Sequence, residues 1–358
     1  MTQQSVRYSS IDALRGWTVA GMLLVNNAGD WNHVLPWLEH AQWNGCTPAD
    51  LIFPFFLFIV GLSLELAFAP QLAKGVMPEA LRSQALRRGL RMLLLGVALH
   101  VFACLTIDGR AFRLMGVLQR IGIVFVLAAF IMLYLRTQSS RWIALLALMA
   151  LHSLLLLSGG SLLPHANLSD RIDSVLLGPL AYQYDALTHM AQEPEGILST
   201  LGALSSVLFG IQAGSLLRNR QTPQLVWLAL ACLCAGLISG LELPWNKQMW
   251  TASFVLWTSG WAMALLLLVH QLIDVRGYPA IGRSFGINAI AAYAGSWIAT
   301  CLLAYTGAGD WIYLHWFAPN LPALIGEAWS SAAFAVAFTA VFAALTHAMA
   351  RKNWRIVI

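Results

Sequence analysis

Ten apolar runs, each long enough to cross a bilayer, follow one another along this chain of 358 residues. A hydrocarbon layer of about 30 Å needs roughly 20 apolar residues in a helix, and lipid offers no partners for unpaired backbone groups. The runs therefore predict an all-α polytopic membrane protein, with about ten transmembrane helices in one bundle. The predicted spans are residues 11–29, 49–69, 86–105, 114–135, 142–160, 197–217, 224–241, 250–272, 283–304 and 328–350.

The composition favours a single membrane domain over residues 1–358. Only 10% of the residues are charged and 59% are hydrophobic, whereas soluble domains carry about 25% charged residues. The long connection at residues 161–196 contains Pro, Asp and Glu, and we predict that it does not span. Glycines spaced four apart predict close packing of helices in lipid. They are Gly210 and Gly214, Gly236 and Gly240, and Gly282 and Gly286.

Basic residues are distributed unevenly between the two sides of the predicted bundle. Most of the 21 Lys and Arg residues fall on the side of the N-terminus, and most of the 16 acidic residues fall on the other. The positive-inside rule then places both termini in the cytoplasm and the acidic loops, in a bacterium, in the periplasm. The sequence pI near 9.1 is explained by this topology, so no nucleic-acid partner is predicted.

The densest group of polar residues lies between the first two spans, on the predicted periplasmic side. Turn formation explains some of them, since Asn, Gly and Asp are common in loops, and Thr47 or Asp50 could cap the second helix. The group is Asn26, Asn27, Asp30, Trp31, Asn32, His33, Glu39, His40, Trp43, Asn44, Thr47 and Asp50. Each residue taken alone fits an ordinary polar loop as well as an active site.

His40 is the residue of this group that we select as the catalytic candidate. An imidazole titrates close to neutral pH, so it can take a proton from an amine that attacks a thioester. The same ring nitrogen could instead be acylated and pass the acetyl group on. Composition alone does not separate His40 from the other histidines predicted on this side, which are His33, His165, His189 and His315.

Two amides and one buried cation complete the candidates drawn from the residues themselves. Attack on a thioester develops an oxyanion, for which Asn26 and Asn44 are possible donors; a hydrogen bond between helices explains Asn26 equally well. Arg120, which follows Gln119 inside the fourth span, must face a partner or a cavity, because a charge in hydrocarbon costs on the order of 3 kcal/mol. Asp50 or Glu195 could neutralise it, or it could line the path of a ligand.

Arginines gather on the predicted cytoplasmic side, near the ends of the first and third spans. Topology alone accounts for most of them, but they could also bind the phosphates of a nucleotide ligand. They are Arg15, Arg82, Arg87, Arg88 and Arg91. The five cysteines show no metal-ligand spacing, so no metal site is predicted.

Eight segments of the sequence form recognisable motifs, of which HAQWNGCTPADLIFPFFLFIVG at residues 40–61 is long and hard to match by chance. The others are SIDALRG at 10–16, VNNAG at 25–29, RLMGVLQRI at 113–121, EPEGILST at 193–200, GIQAG at 210–214, KQMWTASFVLWTSG at 247–260 and FGINAIAAY at 285–293. Together they resemble the heparan-α-glucosaminide N-acetyltransferase family of transmembrane acyltransferases. Two positions depart from the family pattern: Glu193 stands in place of an Asp, and Met115 in place of a frequent Pro.

This resemblance implies an activity and a set of site residues. The chain is identified as a bacterial inner-membrane member that uses cytoplasmic acetyl-CoA as co-substrate, acts without a metal on a glucosamine-type amino sugar, and forms a homodimer. The implied catalytic residues are His40, Asn26 and Asp50. The expected substrate-binding or acetyl-CoA-binding residues are Arg15, Trp43, Asn44, Arg87, Arg91, Gln119, Arg120, Glu195, Trp250, Ser253 and Asn288.

Two other functions fit the same residues. A permease for amino sugars or small oligosaccharides would also use about ten helices with an intramembrane arginine, and a sugar O-acetyltransferase would use the same donor on a hydroxyl group. The sequence leaves direct transfer and an acetyl-histidine intermediate both open, and it leaves the acceptor open between a free monosaccharide, an oligosaccharide and a cell-wall sugar.

Overall fold

Helices make up most of the chain in the computed structural model, which describes residues 8–319, Leu324 and 326–356. Both chain ends, for which a cytoplasmic location is predicted, fall outside the described residues. In chain order the helices are α1 (Ser9–Val25), α2 (Pro48–Ala73), α3 (Pro78–Thr106), α4 (Val117–Tyr134), α5 (Gln138–Ser158), α6 (Leu168–Leu176), α7 (Ser199–Arg218), α8 (Thr222–Ser239), α9 (Ala252–His270), α10 (Arg283–Ile287), α11 (Ala289–Thr306), α12 (Ala308–Ile312) and α13 (Glu327–Arg351).

Among the described residues, nine helices are long and apolar enough to cross a membrane. They are α2, α3, α4, α5, α7, α8, α9 with the π-helical turn that follows it to Val275, α11 and α13. The prediction of an all-α polytopic membrane protein is therefore confirmed. These nine helices match nine of the ten predicted spans.

The first predicted span, residues 11–29, is too long. Helix α1 has 17 residues and ends at Val25, with Asn26 as its C-cap, so it extends about 25 Å at 1.5 Å per residue. The side-chain amide of Asn27 donates to the carbonyl of Leu23 at 2.7 Å. It thereby occupies an acceptor of the last helical turn, which is one way for an asparagine to end a helix.

Helix α7 lies at the centre of the bundle, with nearly all of its residues buried. Its closest partner is α2, and the two backbones meet at glycines. A Cβ atom on Gly210 would lie 2.0 Å from the carbonyl oxygen of Phe58, and one on Gly61 would lie 1.9 Å from that of Val207. The close packing predicted at Gly210 is confirmed, because no larger residue fits at this spacing.

The connection between α5 and α7 does not span, as predicted. It carries the nine-residue helix α6 and a hairpin of two strands, β1 (Gln183–Asp185) and β2 (Met190–Gln192). The strands pair antiparallel, with Gln183 opposite Gln192. The hairpin leads directly into Glu193, which pairs with Arg113 just before α4.

One end of the bundle, which we call the site end, brings together the connections at residues 26–47, 107–116, 159–198 and 240–251 and the start of α13, where Glu327 pairs with His33. Trp43 donates its indole N–H to the carbonyl of Leu162 at 2.9 Å, and the side chain of Asn246 donates to the carbonyl of Trp43 at 3.0 Å. At the opposite end, the buried carboxylate of Glu65 lies 3.1 Å from both Arg141 and Arg218. The two ends thus carry separate polar networks.

Candidate functional site

Asp50 is the fixed centre of the candidate site. It is fully buried in the first turn of α2, where a carboxylate suits the helix dipole. Its Oδ2 accepts the backbone N–H groups of Ala41 at 3.0 Å and Thr47 at 3.1 Å, and the Thr47 hydroxyl lies 3.1 Å from the same oxygen. Two backbone donors therefore hold Oδ2, beside a Thr47 hydroxyl that also donates to the Glu39 carbonyl at 2.7 Å, and Oδ1 faces another residue.

That residue is His40, whose Nδ1 lies 2.8 Å from Asp50 Oδ1. The His40 side chain is 46% exposed, while that of Asp50 is 1% exposed. When Nδ1 carries the proton that faces the carboxylate, Nε2 keeps a lone pair, which lies 3.2 Å from the Lys247 ammonium and could receive a proton from a substrate that takes the place of that ammonium. A histidine oriented by a buried carboxylate is an arrangement suited to a general base or an acyl acceptor.

Lys247 is a third member of this group, and our sequence analysis missed it as a site residue. Its Nζ lies 3.4 Å from Asp50 Oδ1, and 3.1 Å and 3.2 Å from the two ring nitrogens of His40. Burial lowers the pKa of Lys247, and the negative charges of Asp50 and Glu195 oppose that effect. We call Asp50, His40 and Lys247 the His40 cluster. A basic residue on a side predicted to be poor in Lys and Arg was the available signal.

Asn246 ties the loops of the His40 cluster together. It is fully buried, and its amide donates to the carbonyl of Trp43 and to Asn44 Oδ1 at 3.2 Å, while its Oδ1 accepts the N–H of Met249 at 2.8 Å. The structure therefore brings two predicted site residues, Trp43 and Asn44, beside the segment that carries Lys247. The oxygen of Asn44 is already engaged.

Asn26, predicted to share an oxyanion with Asn44, lies in a different setting. It is exposed at the end of α1, where it lines a small cavity between α1 and α11 of about 40 Å³. The other lining residues are Met22, Leu23, Asn27, Tyr293, Ser296, Trp297 and Thr300. Within residues 8–319, no hydrogen bond joins Asn26 to His40 or Asn44, so their joint role stays a prediction.

Arg120 is fully buried in the first turn of α4, and neither Asp50 nor Glu195, the two partners that the sequence left open beside a ligand path, forms an ion pair with it in the described structure. Its guanidinium donates to the carbonyl of Gly196 at 3.1 Å and to the hydroxyl of Ser199. It also lies over the ring of Trp250, 5.2 Å from the centroid. Among the described residues no carboxylate lies within 4.0 Å of it. A carbonyl, a hydroxyl and an aromatic face contact it instead.

Arg113, which we did not select from the sequence, is the residue that pairs with Glu195. It bridges Glu193 and Glu195 and lies over the ring of Tyr182 at 4.7 Å. Burial disfavours the charged forms of Arg113 and Glu195. The charges of Glu195 and Glu193 nevertheless raise the pKa of Arg113, and Arg113 holds the pKa of Glu195 below its ordinary value. The motif departure at Glu193 is accommodated, because its longer carboxylate reaches Arg113.

Four further predicted site residues lie in separate places. Gln119 donates to the carbonyl of Leu114 at 3.1 Å, and buried Trp250 donates to the Ser206 hydroxyl at 3.0 Å. Ser253 is buried beside Thr251, 3.1 Å between hydroxyl oxygens. Asn288, between α10 and α11, is fully buried, and neither polar atom of its side chain has a hydrogen-bond partner among the described residues. Of the four, Trp250 alone contacts Arg120 in the described structure.

The predicted phosphate-binding arginines lie away from the site end. Arg15 already donates to Ser63 Oγ at 2.7 Å and lies 3.2 Å from Asp12. Arg87 and Arg91 are exposed on the first half of α3. In the part of the chain that the structure describes, no group of three or more His, Cys, Asp or Glu side chains could hold a metal ion.

Comparisons with known proteins agree with the motifs that surround the His40 cluster. The family model described as "Heparan-alpha-glucosaminide N-acetyltransferase, catalytic" matches residues 7–232. The heparan-alpha-glucosaminide N-acetyltransferase of Mus musculus is 28% identical over 353 residues, with 81% of this chain and 53% of the relative covered. That of Homo sapiens is 29% identical, with 81% and 52% covered.

The chain thus spans about half the length of the curated relatives that it matches. The matched model covers well over half of this chain and includes His40, Asp50, Arg113, Arg120 and Glu195. On this match, the chain belongs to the heparan-alpha-glucosaminide N-acetyltransferase catalytic family.

Proposed function

We propose that this protein is a transmembrane N-acetyltransferase, which moves an acetyl group from cytoplasmic acetyl-CoA to the amine of a periplasmic, glucosamine-type amino sugar. The observation that carries the proposal is the His40–Asp50 pair. It lies at the site end, inside a segment matched by an acetyltransferase family. A half-exposed imidazole oriented by a buried carboxylate is the group that this chemistry requires.

The transfer step follows from the reactivity of a thioester. The amine nitrogen of the sugar attacks the carbonyl carbon, the new C–N bond forms, and the C–S bond breaks to release CoA. The amine proton passes to Nε2 of His40, which can return it to the departing thiolate. In the acetyl-histidine alternative, Nε2 first receives the acetyl group and the sugar amine then removes it, so the balance is the same.

The two ends of the bundle suit the two substrates of this reaction. CoA carries several negative charges that cannot enter lipid, and the exposed Arg87 and Arg91 of α3 are suited to its phosphates. The narrow pantetheine arm would carry the thioester between the helices toward His40. In this proposal the arginines of α3 face the cytoplasm and the site end faces the periplasm of a bacterial inner membrane, the orientation that the positive-inside rule favours.

The test is acetyl transfer by the purified, detergent-solubilised protein. With labelled acetyl-CoA and glucosamine we expect labelled N-acetylglucosamine, identified by mass spectrometry. Replacing glucosamine with N-acetylglucosamine should stop the reaction, and product formed on that sugar would indicate O-acetylation. Uptake of glucosamine by proteoliposomes without acetyl-CoA, with no acetylated product, would favour a permease. The mass of the particle in detergent tests the predicted homodimer.

A further inference from the structure

Lys247 occupies a position in the His40 cluster that needs a chemical explanation. Its ammonium lies 3.4 Å from the carboxylate of Asp50 and within 3.2 Å of both ring nitrogens of His40. Lysine carries a costly charge into a site where its side chain is only 20% exposed. An ammonium group there must therefore be neutralised by a negative charge close to it.

The segment that carries Lys247 is held firmly from both sides. Asn246 before it is fully buried and bonded to Trp43, Asn44 and Met249. Trp250 after it is buried, takes a positive φ of 55° that bulky residues rarely adopt, and bonds Ser206. The backbone of residue 247 is thus fixed, and its side chain is directed to the one buried carboxylate of the cluster.

A buried carboxylate beside a lone imidazole draws that imidazole into its charged form, since the ion pair neutralises both groups. An imidazolium has no lone pair to receive a proton or an acetyl group. We propose that Lys247 is a positioning residue that compensates the charge of Asp50 and so keeps His40 uncharged and reactive. This inference rests on the proposed function for its role in catalysis, but the charge effect itself can be measured independently.

The other titratable groups around the cluster do not supply that compensation. Cys46 lies in the same loop, and burial raises the pKa of its thiol to about 12, so it stays uncharged. Glu195 acts on Lys247 through its charge but is paired with Arg113. Glu39, on the chain next to His40, is exposed. Asp50 from α2 and Lys247 from the α8–α9 connection are the charged groups within 3.4 Å of the His40 ring in the described structure.

The experiment is a pH titration of the histidine side chains by NMR, on full-length protein in detergent with ¹⁵N-labelled imidazole rings. The His40 signal is assigned by its loss in His40→Gln. In Lys247→Met we expect the midpoint of the His40 titration to rise by about one pH unit or more, a roughly tenfold gain in proton affinity. Lys247→Arg, which keeps the charge, should retain the wild-type midpoint. The His33 signal is an internal control that should not move.

Activity supplies the second readout. In Lys247→Met, the pH at which acetyl transfer falls on the acidic side should rise with the His40 midpoint, and Lys247→Arg should restore it. An unchanged or lower midpoint in Lys247→Met, or a raised midpoint in Lys247→Arg, would overturn the proposal. A wild-type protein that transfers no acetyl group would refute the proposed function alone, because the titration requires no turnover.

Discussion

Two histidines of the loop between α1 and α2 each pair with a carboxylate, Asp30 in the same loop and Asp50 in the first turn of α2, and the pairs differ in what surrounds the carboxylate. In each pair the histidine Nδ1 lies 2.8 Å from the aspartate, and the histidines are equally exposed, 45% for His33 and 46% for His40. Asp30, however, is 27% exposed, whereas Asp50 is 1% exposed. Distance and exposure of the imidazole therefore do not distinguish a candidate catalytic histidine from a loop contact.

The two histidines also differ in the third charged group beside them, which is Glu327 for His33 and Lys247 for His40. Nε2 of His33 faces Glu327 at 2.7 Å, so both of its ring nitrogens meet carboxylates. We call His33, Asp30 and Glu327 the His33 cluster. The hydrogen bond to Asp30 raises the pKa of His33, and the charge of Glu327 adds to this. His33 thus lies between two carboxylates that favour its cation, while His40 lies beside one carboxylate and the ammonium of Lys247.

Substitution of His40 should cause the greatest loss of acetyl transfer, and the same substitution at His33 should cause almost none. His40→Gln should reduce acetyl transfer to glucosamine by about a thousandfold or more, because it removes the proton or acetyl acceptor. His33→Gln, its matched control, should stay within about twofold of wild type. The measurement is kcat/KM at fixed pH, with detergent-extracted size to verify folding. Equal losses in both variants would contradict the distinction between the clusters.

Substitution of the two aspartates, Asp50 and Asp30, should give the next greatest difference in activity. Asp50→Asn keeps the shape but removes the charge that orients His40, and we expect a loss in kcat on the order of a hundredfold or more. It should also lower thermal stability, since the largely buried Lys247 ammonium loses the carboxylate that lies 3.4 Å from it. Asp30→Asn should change neither by much. Near-normal turnover in Asp50→Asn would show that His40 does not need this partner.

Most of the fold, but little of the site, could be predicted from the sequence. Hydrophobic length predicted the membrane helices, although α3 begins at Pro78 rather than at 86, α11 begins at Ala289 rather than at 283, and α1 ends at Val25 rather than at 29. The early end of α1 goes with one side-chain hydrogen bond from Asn27. His40 and Asp50 were found because they lie in one motif. Lys247 is 207 positions from His40, so only the packing of two loops brings it there. The same holds for Arg113, which is 82 positions from Glu195.

A smaller effect tests how Asp50 is held. Thr47→Val removes a hydroxyl that lies 3.1 Å from Asp50 Oδ2 but keeps the backbone N–H that donates to the same oxygen. Loss of an N-cap hydroxyl costs about 1 kcal/mol of stability. We expect a modest fall in melting temperature and a severalfold loss in kcat, with KM little changed. A loss as large as that of Asp50→Asn would mean that the hydroxyl acts on the substrate itself.

Substitution of Glu327 in the His33 cluster should shift the titration of His33 without changing acetyl transfer. The ion pair of His33 with Asp30 stabilises the folded protein fully below the ordinary histidine pKa of about 6.5. This stabilisation is lost as the pH rises through the raised pKa of His33. Glu327→Gln should lower the midpoint of the His33 titration and leave acetyl transfer unchanged. A rise in that midpoint, or a change in the His40 midpoint, would indicate that the two clusters are not independent.

Transfer of an acetyl group across the membrane through the His40 cluster can be measured in proteoliposomes. Acetyl-CoA is added outside vesicles that hold labelled glucosamine inside, and the vesicle contents are analysed for product. We expect N-acetylglucosamine inside vesicles that contain the wild-type protein and none above background with His40→Gln. Product formed only when both substrates share one side, or glucosamine released without acetylation, would contradict it.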